Sequence, residues 1–121
     1  PNIPDIGRTL IVEDNLIIAI DAEEHLRKLG VQDIFVASTV DEALREVETN
    51  ALEFAILDVN LGESSSLPIA RELRERSIPF VFASGYGEAP SLVAEFDDVP
   101  ILSKPYDADA LARAIIRLLG S

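Results

Sequence analysis

Five polar side chains follow four separate apolar stretches of the sequence. Glu13 and Asp14 follow TLIV, Asp58 ends FAILD, Ser84 follows PFVFA, and Lys104 comes shortly after VPIL. If folding brings them together, the three carboxylates repel one another and raise one another's pKa values unless a cation keeps them ionised. Carboxylate oxygens suit a hard cation such as Mg²⁺. The residue types therefore predict a magnesium site with a hydroxyl and an ammonium group beside it.

Short strands that alternate with helices must position these residues. Five stretches are predicted as strands: Thr9–Glu13, Asp33–Ala37, Phe54–Asp58, Pro79–Ala83 and Val99–Leu102. Such alternation is typical of βα units around a parallel sheet. The first, third and fourth stretches are almost continuously apolar, which indicates interior strands covered by helices on both faces.

Four helices are predicted between and after the strands. They are a segment from about Leu16 to Leu29 that Gly30 ends, a segment after the capping box of Thr39 and Glu42, a segment from about Ser66 to Arg76 with Pro68 in its first turn, and a segment from about Ala108 to Leu119 capped by Asp107. The stretch from Gly85 to Asp98 is interrupted by Gly85, Gly87 and Pro90. This stretch predicts a mobile loop with at most a turn or two of weak helix. Counted in chain order, that weak helix would be the fourth and the helix capped by Asp107 the fifth.

These elements predict an α/β fold. We expect residues 1–121 to form a single doubly wound (βα)₅ domain of the flavodoxin-like type, with a five-stranded parallel sheet of order 2-1-3-4-5. Ligands of such sheets bind beyond the carboxyl ends of the strands. Each polar residue alone has an ordinary explanation as a helix-terminal charge, a turn residue or a solvated lysine. Their common position at one edge favours a shared site.

The composition excludes several classes of protein. The 121 residues include 10 Lys and Arg against 22 Asp and Glu, a formal net charge of −12, which argues against direct nucleic-acid binding. With no Cys and one His, disulfides, thiolate metal sites and multi-histidine metal sites are ruled out. No apolar run reaches the roughly 20 residues of a membrane helix, and Pro1 to Arg8 lacks the layout of a signal peptide. We therefore expect a cytoplasmic protein with no membrane contact.

Taken together, the sequence resembles the receiver domain of two-component response regulators over its whole length. The resemblance is carried by the acidic pair in IVEDN, Asp58 in AILDVNLG, Ser84 in FASGYG and Lys104 in SKPY. PFVFASGYG, from Pro79 to Gly87, also resembles the receivers named for a Phe-Ala-Thr-Gly-Tyr motif, with Ser84 in place of Thr. Receivers of that subfamily are best represented in alphaproteobacteria and are often stand-alone domains, linked to stress signalling and to HWE-type histidine kinases.

The resemblance implies a phosphorylation switch. Asp58 would accept a phosphoryl group from a histidine kinase or phosphotransferase. The implied ligands of Mg²⁺ or Mn²⁺ are Glu13, Asp14, Asp58 and the backbone carbonyl of Asn60. Ser84 and Lys104 would bind phosphoryl oxygens, and the bond from Lys104 to Pro105 would be cis. Phosphoryl transfer needs positioning and charge neutralisation above all, which such a site supplies.

One departure from the family pattern concerns the switch aromatic. The position three before Lys104, often an aromatic in receivers, is Ile101, so the usual coupling to the Ser or Thr cannot operate in its normal form. Tyr86 and Tyr106 are candidate substitutes, and each is equally explained as a half-buried phenol. His25 is expected to be solvated on a polar helix face.

Three functions are compatible with the sequence. The first is a receiver with no output domain in this chain, which catalyses only its own phosphorylation and dephosphorylation and controls a downstream protein through the surface of the fourth helix, fifth strand and fifth helix. The second is a small Mg²⁺-dependent phosphohydrolase that works through an aspartyl-phosphate, although 121 residues leave little room for a substrate cap. The third is a degenerate receiver that serves as a docking scaffold.

Overall fold

The computed structural model describes residues 3–62, 64–85 and 94–120. Within these ranges the strands are β1 (Thr9–Val12), β2 (Ile34–Ala37), β3 (Phe54–Asp58), β4 (Asn60–Leu61), β5 (Ser64–Ser65), β6 (Phe80–Ser84) and β7 (Ile101–Ser103). The helices are α1 (Leu16–Lys28), α2 (Val40–Thr49), α3 (Leu67–Glu75) and α4 (Ala108–Leu119). Among the described residues, no helix has the length and apolar character needed to cross a membrane.

The predicted five-stranded parallel sheet is confirmed. Its order is β2-β1-β3-β6-β7, and all four neighbouring pairs are parallel. The expected numbering of 2-1-3-4-5 has to change, because a small antiparallel hairpin of β4 and β5 lies between the third and fourth strands of the sheet. The hairpin is not predictable from the sequence pattern, because two-residue strands carry no readable periodicity.

The predicted strand Phe54–Asp58 is confirmed at both ends, and the other four strands differ from the predictions by one or two residues at one end or both. The last strand was placed at Val99–Leu102 but runs from Ile101 to Ser103. The strand starts late because the Val99 N–H donates to the carbonyl of Phe96 in a turn, and Pro100 has no N–H to donate to a neighbouring strand. β6 extends to Ser84, which pairs with Ser103.

The predicted helix caps are largely confirmed. Thr39 accepts a hydrogen bond from the Glu42 N–H, and Asp107 accepts one from the Ala110 N–H. The reciprocal half of the capping box differs, because the Glu42 carboxylate accepts from the N–H and the hydroxyl of Ser38. Gly30 has φ +94°, the left-handed conformation expected after α1.

The sheet separates two apolar cores. One core lies on the side of α2 and α3 and includes Leu10, Leu57 and Phe82. The other lies on the side of α1 and α4 and includes Ile11, Ile56 and Val81. The three central strands β1, β3 and β6 contribute to both, which is why their sequences are almost continuously apolar.

The segment between β6 and β7 is described only at its two ends. The prediction of a weak fourth helix falls mainly on residues 86–93, which lie outside the described residues, as does Tyr86. In the described part, Ala94 and Glu95 are helical and a turn follows. Phe96 is buried at 2 % exposure and makes edge contacts with Phe80 and Phe82, a burial that the sequence pattern does not indicate.

The prediction of a solvated His25 is wrong. Its side chain is only 12 % exposed. The ring lies 5.6 Å from the ring of Tyr106, and Nε2 lies 3.2 Å from Oδ2 of Asp21. The polar neighbours of His25 in sequence face outward, while the imidazole is covered by the chain that enters α4, a tertiary contact with no local signal.

Candidate functional site

The three predicted carboxylates meet at the carboxyl edge of the sheet. Asp58 ends β3, and Glu13 and Asp14 directly follow β1, whose last residue is in register with Leu57. One carboxylate oxygen from each of the three residues lies within 4.8 Å of the others. Glu13 and Asp58 are buried, whereas Asp14 is exposed. The cluster therefore has two buried carboxylates and one that faces solvent.

The Lys104 side chain reaches the two buried carboxylates. Its Nζ lies 2.9 Å from Oε1 of Glu13 and 3.0 Å from Oδ2 of Asp58. Lys104 directly follows β7, the strand that neighbours β6 in the sheet. The bond from Lys104 to Pro105 is cis, as expected. One ammonium group is thus shared between two buried anions.

Burial dominates the electrostatics of Asp58. Burial and then the adjacent Glu13 carboxylate raise its pKa to about 7, although the Lys104 ammonium opposes the change. For Lys104, burial disfavours the charged form, but the hydrogen bonds to Glu13 and Asp58 outweigh burial and raise its pKa. The cluster has more negative charge than one lysine neutralises.

The donor set fits a hard divalent cation. Three carboxylates within reach of one another offer oxygen ligands, and a cation would offset the burial that now disfavours ionised Asp58. Backbone groups fix two of the carboxylates: the Asn15 N–H donates to Oε2 of Glu13, and the Asn60 N–H donates to Oδ1 of Asp58. Asn60, whose carbonyl was predicted as a ligand, begins β4 two residues after Asp58.

Ser84 lies at the same edge, one strand away from Asp58. It ends β6, is partly exposed, and its hydroxyl donates to the carbonyl of Gly85 at 3.3 Å. The Lys104 N–H donates to the carbonyl of Ser84 at 2.9 Å. The structure therefore joins the predicted hydroxyl and ammonium residues through the main chain.

Of the two candidate switch aromatics, Tyr106 lies within the described residues, and its surroundings differ from those of Ile101, which occupies the usual aromatic position. Ile101 is 45 % exposed on β7, which is an edge strand. Tyr106 packs against the α1–α4 core and against His25. Burial and the charges of Glu13, Asp21 and Asp58 raise the pKa of Tyr106, so its hydroxyl stays protonated near neutral pH.

Two residues beside the site were not recognised in the sequence. Asn15 caps α1 by accepting from the N–H groups of Ile17 and Ile18, while its own N–H holds Glu13. Gly62 has φ +66°, and a Cβ placed there would lie 3.6 Å from Oδ2 of Asp14. An Asn directly before an apolar helical pattern is a recognisable N-cap signal, so the role of Asn15 could have been predicted. The approach of Gly62 to Asp14 depends on the β4–β5 hairpin, which has no sequence signal.

Curated relatives match most of this chain at low identity. The chain is 28 % identical over 112 residues to the sensory transduction protein LytT of Bacillus anthracis, covering 89 % of this chain and 45 % of that protein. It is 29 % identical over 109 residues to the response regulator protein TodT of Pseudomonas putida, covering 87 % and 48 %. The chain thus spans about half the length of these relatives.

Solved structures give a closer match. The solution structure of SdrG from Sphingomonas melonis Fr1 matches with a TM-score of 0.85 and 43 % identity, covering 94 % of this chain and 97 % of that chain. The BeF3-activated conformation of SdrG, from Pseudomonas melonis Fr1, matches with a TM-score of 0.77 and 42 % identity, covering 93 % and 95 %. The sequence profile described as the response regulator receiver domain matches residues 9–116. With this match, the parallel sheet and the acidic cluster at its carboxyl edge, the chain belongs to the response regulator receiver domain family of two-component systems.

Proposed function

We propose that the domain accepts a phosphoryl group on Asp58 in a Mg²⁺-dependent reaction with a histidine kinase or a histidine phosphotransferase as donor. The observation that carries this proposal is the position of Asp58, which is buried between two further carboxylates and the Lys104 ammonium. A carboxylate so placed is a nucleophile whose surroundings are set up to neutralise the charge of an incoming phosphoryl group.

In the proposed reaction, a carboxylate oxygen of Asp58 attacks phosphorus and the bond from phosphorus to the donor nitrogen breaks. The product is an acyl phosphate on Asp58, and the donor imidazole keeps the electron pair. Bound Mg²⁺ would neutralise phosphoryl charge and keep the carboxylates ionised, held by Glu13, Asp14, Asp58 and the Asn60 carbonyl. Lys104 would pair with one phosphoryl oxygen and Ser84 would donate to another. Asp58 must be deprotonated to attack, so a cation that lowers its raised pKa favours the reaction.

The donor protein would approach over the start of α1. Three large apolar side chains of this helix are exposed: Leu16 at 72 %, Ile17 at 78 % and Ile20 at 51 %. Leu16 is the second residue after Asp14, so α1 begins beside the acidic site. An apolar surface at the rim of the site suits a protein donor whose phosphoimidazole must reach Asp58. We call these three residues the α1 patch.

The proposed response is a change of the surface formed by the segment before β7, by β7 and by α4, which would control a downstream protein. Ser84 and Lys104 support this assignment, because they border the site and stand at the ends of β6 and β7. The motif PFVFASGYG supports assignment to the Phe-Ala-Thr-Gly-Tyr subfamily of receivers. In this proposal the domain is a signalling module whose only catalysis is its own phosphorylation and dephosphorylation.

The deciding experiment is phosphorylation by acetyl phosphate, read by intact mass. Wild type with Mg²⁺ should gain one phosphoryl group, and Asp58→Ala or removal of Mg²⁺ should abolish the gain. Asp33→Ala is the matched control, because Asp33 is an exposed aspartate before β2, at the opposite edge of the sheet. An adduct that persists in Asp58→Ala, or wild type that accepts nothing from acetyl phosphate and from a panel of histidine kinases, would overturn the proposal. Steady turnover of a generic phosphate ester would favour a phosphohydrolase instead.

A further inference from the structure

Two ion pairs connect α3 to the residues that precede β7. Nε and Nη2 of Arg71 lie 3.0 and 2.9 Å from the two carboxylate oxygens of Glu95. Further along the same face of α3, Nη2 of Arg74 lies 2.9 Å from both carboxylate oxygens of Asp98. Arg71 and Arg74 are three residues apart, as are Glu95 and Asp98, so the two pairs together fix the register of one segment on the other.

Phe96 lies between the two paired carboxylates in sequence and enters the core beneath them. Its ring lies 5.8 Å from the ring of Phe80 and 5.9 Å from that of Phe82. The guanidinium carbon of Arg74 lies 4.8 Å from the centre of the Phe96 ring on the outer side. Arg74 therefore holds the segment twice, through Asp98 and over the aromatic face.

Both pairs are at the surface, which makes them sensitive to salt. Arg71 and Glu95 are 60 % and 44 % exposed, and Arg74 and Asp98 are 45 % and 65 % exposed. The hydrogen bonds to the arginines lower the pKa values of Glu95 and Asp98, so both carboxylates are charged at neutral pH. Exposed pairs are individually weak. Arg71 binds Glu95 through two nitrogens, and Arg74 adds a second pair beside it, which is the kind of arrangement in which exposed pairs contribute to stability.

We propose that the pairs Arg71–Glu95 and Arg74–Asp98 form an electrostatic latch that keeps Phe96 in the core. The latch sets how often residues 94–99 open while the rest of the sheet stays folded. Since these residues belong to the surface that would respond to phosphorylation, the meaning of the latch for signalling rests on the proposed function. The latch itself is a property of the unphosphorylated domain.

Residue-resolved amide exchange by NMR on the unphosphorylated protein tests the latch. The reporter is the Val99 N–H, which donates to the carbonyl of Phe96 at 3.0 Å and is released when the turn opens. Arg71→Gln and Arg74→Gln should each speed its exchange about threefold, and the double variant about tenfold. Arg76→Gln removes the same charge from the residue after α3 and breaks a different ion pair, the one with Glu72. It should leave the exchange of Val99 within about twofold of wild type.

A charge exchange separates the latch from a general loss of stability. Arg71→Glu and Glu95→Arg should each speed the exchange of Val99, and the two together should return it toward the wild-type rate. Salt should speed the exchange of Val99 in wild type and have no such effect in the Arg71→Gln/Arg74→Gln variant. The latch is refuted if Val99 is unaffected in that variant, or if Val99 and the β3 amide of Ile56 speed up together. Phosphorylation by acetyl phosphate, measured on the same proteins, tests the proposed function separately from the latch.

Discussion

The ammonium nitrogen of Lys104 lies 3.0 Å from Oδ2 of Asp58 and also bonds Glu13, so one cation holds two buried carboxylates. The same two carboxylates belong to the cluster that fits a divalent cation. A divalent cation bound there would therefore share ligands with Lys104, and each would lower the affinity of the site for the other. Replacing Lys104 should therefore affect metal binding and phosphoryl acceptance in opposite directions.

Replacing Lys104 should improve metal binding while impairing phosphorylation. In Lys104→Gln the ammonium no longer repels Mg²⁺, so we expect Mg²⁺ to bind about tenfold more tightly, a difference of about 1.4 kcal/mol. The initial rate of phosphorylation by acetyl phosphate should fall about a hundredfold, because a positive partner of the transferred group is lost. Calorimetric titration and intact mass measure the two effects. Lys28→Gln, which removes an exposed lysine from α1, should change neither quantity, and weaker Mg²⁺ binding in Lys104→Gln would contradict the shared-ligand argument.

The raised pKa of Asp58 predicts a pH dependence of stability in metal-free protein. The carboxyl ionises near pH 4 when unfolded and near 7 when folded, so folding favours the neutral form. Its contribution is fully present below about pH 4 and is lost as the pH rises through about 7. At about 1.4 kcal/mol for each pKa unit, the loss is on the order of 4 kcal/mol. Asp58→Asn lacks this titration. Measured in EDTA by denaturant unfolding, its stability relative to wild type should rise between pH 4 and 7, and a difference that does not vary with pH would refute the prediction.

Mg²⁺ should stabilise the domain through the acidic cluster. A ligand present at 100 times its Kd and bound only by the folded state adds about 2.7 kcal/mol of stability, so the Tm should rise clearly with Mg²⁺. The rise should be larger at pH 8 than at pH 6, because protons compete for Asp58 near its pKa of about 7. Glu13→Gln and Asp14→Asn should reduce the rise, whereas Asp33→Asn should retain it. A rise that NaCl of equal ionic strength reproduces would point to general screening instead.

The α1 patch predicts a difference between protein and small-molecule donors. The double variant Ile17→Ser/Ile20→Ser removes exposed apolar area without touching the buried core, so acetyl phosphate should still phosphorylate Asp58 at the wild-type rate. Transfer from a phosphorylated histidine kinase should slow by at least tenfold. Val36→Ser is the matched control, because Val36 is exposed at 44 % on the edge strand β2. Equal loss with both donors would place the defect in the fold or the site.

The sequence predicted the sheet and the residues at its carboxyl edge because both depend on local patterns. Continuous apolar runs identify the interior strands β1, β3 and β6, and parallel strands place whatever follows them at one edge. The convergence of Glu13, Asp58 and Lys104 therefore needed no knowledge of side-chain contacts.

The features that the sequence did not predict depend on contacts between distant residues. His25 stands among polar neighbours in sequence, and its ring is packed against that of Tyr106, 81 positions later. Phe96 is flanked directly by Glu95 and Asp97 and follows no readable strand or helix period, and the anchoring pairs beside it join α3 to residues 24 positions later. Such pairings become visible only when the fold is complete.

The sheet divides the domain into two faces with separate tasks. The α1 patch lies on the side of α1 and α4, whereas Phe96 and the latch lie on the side of α2 and α3. Substitutions in one core need no compensating change in the other, because successive residues of the central strands face opposite cores and the two sets of side chains do not share a cluster. Donor recognition and the ease of opening of residues 94–99 can therefore diverge independently among paralogues, and each could be exchanged between receivers while the acidic cluster stays unchanged.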